Sequence, residues 1–72
     1  MIIKVIGFPK ITNKYEINRV FSEHGTVKHV EKKPGATVAY VTMPYEYQGR
    51  KAIKALYGTK ILEKKIEVIE WS

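Results

Sequence analysis

Few side chains in this chain could do covalent chemistry, and their types narrow the choice further. All seven acidic residues are Glu, and neither Asp nor Cys occurs. Thiol nucleophiles, thiolate metal sites and disulfides are thereby excluded. His24 and His29 stand five positions apart around Gly25. They read as a helix-end residue placed favourably against the helix dipole and a surface residue, not as a metal pair. No catalytic group, metal or cofactor is expected. What remains suits binding. Tyr40 and Trp71 offer aromatic faces, and Lys4, Lys28, Lys32, Lys33, Lys60, Lys64 and Lys65 offer cations. Thirteen Lys and Arg against seven Glu give a net charge of +6, and the pI is near 9.7. Such a balance on a small body points to a polyanionic partner, nucleic acid or an anionic membrane surface.

These residues must be positioned by a small scaffold. Seventy-two residues make one domain, spanning 1–72, that buries only about 60% of the surface its unfolded chain exposes. No apolar run approaches the ~18 residues of a membrane span, and the N-terminus lacks a signal-peptide pattern. A soluble, intracellular protein with no membrane partner is expected. Ile2–Ile6 is β-branched and closed by Gly7-Phe8-Pro9, a strand signal. Asn13 and Glu16 have capping-box spacing, and Ile17, Val20, Phe21 and His24 recur with helical period up to Gly25, read as a left-handed stop. A helix over about 14–24 follows. Val27–Glu31 reads as a second strand, Lys32-Lys33-Pro34-Gly35 as a turn, and Thr37–Met43 as a third strand closed by Pro44. A second helix is expected over about 47–57, with Gly49, Ala52, Ile53 and Leu56 on one face and Gly58 as stop. Lys65–Trp71 alternates as a last strand.

The order is βαββαβ. Its economical packing is an α+β, ferredoxin-like sandwich: a four-stranded antiparallel sheet in order 4-1-3-2 with two helices on one face. The other face stays open. Strand alternation turns Ile3, Val5, Val30, Ala39, Val41, Met43, Ile66 and Val68 inward. It leaves Lys4, Ile6, His29, Glu31, Val38, Tyr40, Thr42, Glu67 and Ile69 on the open face, with Trp71 beside them at a frayed end. Tyr15, Tyr45, Tyr47 and Tyr57 lie on or beside the helices and are read as packing residues.

Over nearly its whole length the chain resembles the RNA recognition motif family. Ile3-Lys4-Val5-Ile6-Gly7-Phe8-Pro9 looks like the six-residue RNP motif with its trailing Pro, and Ala36–Met43 like the eight-residue one. Phe21-Ser22-Glu23-His24-Gly25-Thr26-Val27 matches the family's Phe-x-x-x-Gly-x-Val helix ending. Ala52–Thr59 followed by Lys65-Ile66-Glu67-Val68 matches its second helix, turn and last strand. The departures fall on the open face. Lys4 and Val38 stand where the family commonly has aromatics, Ala36 where it has a basic residue, and Glu63 where a turn Gly is usual. Tyr40 keeps the remaining aromatic position.

The resemblance implies binding of single-stranded RNA, with splayed bases laid on the sheet. The residues it assigns are Lys4, Ile6, Val38, Tyr40 and Trp71 on the sheet and Lys32, Lys33 and Lys65 at its margins. A protein partner, a second copy or a larger ribonucleoprotein is the alternative, using the apolar part of the same face. Relatives specialised for tryptophan-bearing peptides carry Arg-x-Phe in the last loop, where this chain has Ile61-Leu62-Glu63-Lys64. An acylphosphatase-like enzyme needs a glycine-rich first loop ending near an Arg. Here that loop is Gly7-Phe8-Pro9-Lys10, and Arg19 lies within the first helix.

Overall fold

The computed structural model describes residues 1–72. Its elements are β1 (Ile2–Ile6), α1 (Lys14–Ser22), β2 (His29–Glu31), β3 (Val38–Thr42), α2 (Glu46–Leu56), a small hairpin of β4 (Lys60–Ile61) and β5 (Lys64–Lys65), and β6 (Glu67–Glu70). The main sheet is antiparallel throughout, in the order β2-β3-β1-β6. With β6 as the fourth long strand, this is the expected 4-1-3-2 arrangement. α1 packs against β2 and α2 against β6. Their inner faces join the inward strand residues in one core of 14 buried side chains. Every strand residue expected to face inward is in that core, and Phe8 from the first loop joins them. No helix is long and apolar enough to cross a membrane.

Local chemistry explains most of the boundaries. The Asn13 side chain accepts a hydrogen bond from the Glu16 N–H at 3.0 Å, satisfying one of the orphan donors that open α1. The turn between β2 and β3 closes with the Ala36 N–H donating to the Lys33 carbonyl at 3.0 Å. Pro34 and Gly35 are its central residues, and Gly35 has φ +77°, the conformation a type II turn demands at that place.

Other boundaries differ from the sequence reading. α1 stops at Ser22 and not at residue 24, and Gly25 is not its left-handed cap. A Cβ on Gly25 would lie 2.5 Å from Gln48 Oε1, the atom that accepts the Thr26 N–H at 2.7 Å. Gly25 is required by this close approach between α2 and the loop after α1. β2 is shorter than expected, beginning at His29, although the Lys28 N–H still donates to the Thr42 carbonyl at 2.8 Å. α2 starts one residue early, and the last strand starts at Glu67 because Lys64–Lys65 pairs back onto Lys60–Ile61. Tyr15, Tyr45, Tyr47 and Tyr57 are each more than half exposed. They lie outside the core, which fills with smaller side chains from the same helices, such as Ile17, Ala52 and Leu56.

Candidate functional site

The register of the sheet arranges the outward side chains in three rows across the open face. One row runs His29, Thr42, Ile2. The next runs Glu31, Tyr40, Lys4, Ile69, and the third Val38, Ile6, Glu67. Every side chain in them is partly or fully exposed. Tyr40 is therefore flanked by a carboxylate on β2 and an ammonium on β1, in the middle row of the sheet.

Trp71 belongs to the same surface. The expected frayed end is instead tied down: the Trp71 N–H donates to the Ile2 carbonyl at 2.8 Å, and the Ile2 N–H donates to the Ser72 carbonyl at 2.6 Å. These bonds extend the β1–β6 pairing past Glu70 and lay the indole over the sheet. Its ring centroid lies 5.5 Å from that of Tyr40, at an interplanar angle of 55°. The Lys4 Nζ sits 4.6 Å from the centre of the indole, within cation–π range. Lys4 holds a position that the resembled family commonly fills with an aromatic, and Trp71 brings an aromatic to the same neighbourhood from the other end of the chain.

Two shallow hollows open on this face. One, of about 240 Å³, is lined by Ile2, His29, Glu31, Tyr40, Thr42 and Trp71. The other, of about 330 Å³, is lined by Glu31, Lys33, Ala36, Val38 and Tyr40. Glu31 and Tyr40 are common to both and form the ridge between them. The larger hollow of about 490 Å³, beside Arg50, Lys51, Ile53, Lys54 and Glu70, lies off this face, and its Arg50 is engaged by Glu46 and Glu70.

The structure brings Lys4, Ile6, Val38, Tyr40 and Trp71 together on the open face. Lys32, Lys33 and Lys65 lie outside the rows. Lys32 and Lys33 occupy the β2–β3 turn. Lys65 faces Lys60 across the small hairpin and not along the last strand, because the chain doubles back before β6. These lysines share one end of the sheet, where β1 and β2 finish and β3 and β6 begin. Lys10, in the loop after β1, is at that end too. Strand alternation alone places Glu31 on the open face and gives it no role; its position opposite Tyr40 follows only from the β2–β3 register. No group of three or more His and Glu side chains is placed to hold a metal.

The comparisons with known proteins agree with this fold. The family model of the RNA recognition motif matches residues 3–67. No curated protein sequence matches the chain. Among solved structures, the third such domain of Mip6 is 31% identical, with a TM-score of 0.88 over 99% of this chain and 92% of that one. The corresponding domain of S. pombe Puf1 is 22% identical, with a TM-score of 0.90 over 100% of this chain and 97% of that one. The SXL-lethal protein in its RNA complex is 17% identical, with a TM-score of 0.84 over 93% of this chain and 45% of that one.

Proposed function

Since the chain belongs to the RNA recognition motif family, we propose that it is a non-catalytic module that binds single-stranded RNA on its open sheet face. The observation that carries the reading is the cluster that Tyr40 and Lys4, in the middle row of that face, form with Trp71 from the row beside it. Two rings in contact, with a cation against one of them, give a base a stacking surface and a nearby charge. Base–aromatic stacking contributes about 1–3 kcal/mol per base and tolerates any sequence. Ile6 and Val38, paired across β1 and β3, add an apolar floor beside the rings. Lys32, Lys33 and Lys65 take phosphates at the lysine-rich end. The RNA complex of the SXL-lethal protein supports this use of the fold.

The charged side chains on the face favour this reading over a protein interface. Lys4, Glu31 and Glu67 interrupt the apolar positions in two of the three rows, and burying them unpaired against a protein would be costly. An intracellular location is part of the proposal. The test is titration of isotope-labelled protein with short single-stranded RNA at low salt, followed by amide shifts and by the fluorescence of Trp71, the single tryptophan. Shifts at Lys4, Val38 and Tyr40 with quenching of Trp71 are expected. An unchanged spectrum at all three residues would overturn the reading.

A further inference from the structure

The middle row holds a feature that sequence-tolerant stacking does not use. Glu31 is the one acidic side chain in the row that carries Tyr40, and its cross-strand neighbour is Tyr40 itself. It is exposed, and the ion pairs of the molecule are Arg50–Glu46 and Arg50–Glu70, so its carboxylate is not engaged by a cation. It lines both hollows of the open face. A carboxylate here works against binding phosphate, because it repels the backbone. It can favour an RNA only through hydrogen-bond donors: a ribose hydroxyl, which every nucleotide carries, or the edge of a base, which alone can select one.

Resting on the RNA-binding reading above, we propose that Glu31 makes the Tyr40–Trp71 hollow selective for guanine. A base stacked on Tyr40 has Glu31 along its β2 flank and Lys4 along its β1 flank. An ionised carboxylate only accepts hydrogen bonds and an ammonium only donates them. Guanine presents two adjacent donors, N1–H and the N2 amino group, with the acceptors O6 and N7 on the next edge. Glu31 takes the two donors together, and Lys4 reaches the acceptors. Adenine and cytosine set a ring-nitrogen lone pair beside their exocyclic amine, and uracil flanks its one N–H with two carbonyls. Each of these places a lone pair against the carboxylate.

The experiment compares single-stranded pentamers that are uridine except for a central G, A, C, U or inosine, using Trp71 quenching and amide shifts, on the protein and on Glu31→Gln. A well-placed bidentate contact discriminates by about 1–3 kcal/mol, so the G pentamer should bind on the order of tenfold tighter than the A, C and U pentamers. Inosine lacks the N2 amino group and should lose most of that advantage. Glu31→Gln should remove the preference for G while binding of the U pentamer is kept or improved. Equal binding of all pentamers, or a G preference that survives both inosine and Glu31→Gln, overturns guanine selectivity and leaves RNA binding standing. If no pentamer moves Lys4, Val38 and Tyr40, the RNA-binding reading falls and the selectivity falls with it.

Discussion

Tyr40 and Trp71 touch, so their effects on binding should not add. Removing either ring takes away a stacking surface of about 1–3 kcal/mol and leaves its partner without a supporting wall. Tyr40→Ala and Trp71→Ala are each expected to weaken RNA binding by about 5- to 150-fold. The double variant should lose less than the product of the two, as residues in contact do. Calorimetric titration of the three variants measures this, and strictly multiplicative losses would mean that the rings act at separate bases. Thr12 makes a prediction for stability. Its side chain is 1% exposed, and Oγ1 has no hydrogen-bond partner. A buried hydroxyl without a partner is destabilising, and Val has nearly the same shape. Thr12→Val should raise unfolding stability by about 1 kcal/mol in urea, and a loss would reveal that the hydroxyl is satisfied.

The elements divide by how far their determinants are local. β1, β3 and both helices were legible because alternation, helical period, the Asn13 cap and the Pro34-Gly35 turn lie within a few residues of what they specify. The inward set was legible for the same reason. The small hairpin was not, because its turn breaks the usual chemistry. Leu62 has φ +48° and Glu63 φ +72°, the paired positive values of a type I′ turn, where Asn-Gly is the ordinary choice. Left-handed backbone costs an L-residue about 1–2 kcal/mol, and Lys60 opposite Lys65 adds like-charge repulsion. The pairing persists because Ile61 is buried in the core and the Ile66 N–H and Thr59 carbonyl close the hairpin's base at 2.9 Å. Glu63→Gly should therefore stabilise the fold by about 1 kcal/mol, since relief of the strain outweighs the added chain freedom. Chemical unfolding checks it, and a lower midpoint would show that the strain is not there. Within the site, Lys4 and Tyr40 could be placed on one face from parity alone. The Trp71 contact could not, because it depends on β6 pairing one turn of the pleat beyond Glu70.

At the scale of the molecule, charge and aromatics are sorted along the strands. Trp71, Ile2, Thr42 and His29 mark one end of the open face. Lys10, Lys32, Lys33, Lys60, Lys64 and Lys65 gather in the loops at the other. With Lys4 and Val38 at positions the family commonly fills with aromatics, the proposed binding mode would leave stacking to Tyr40 and Trp71 and more of the affinity to the lysine end. Each phosphate neutralised on a single strand contributes about 0.7 to the slope of log K against log salt. Contact with about three phosphates through the lysine-rich loops would then give a slope near −2. Raising the salt from about 50 to 200 mM should weaken binding on the order of tenfold. Replacing Lys32 and Lys33 together by Gln should make the slope shallower by up to about 1.4 while Trp71 is still quenched at saturation, because the rings lie in the middle and far rows. A slope that is flat in the protein itself, or unchanged by those two substitutions, would place the phosphates elsewhere on the molecule and separate the lysine end from the binding face.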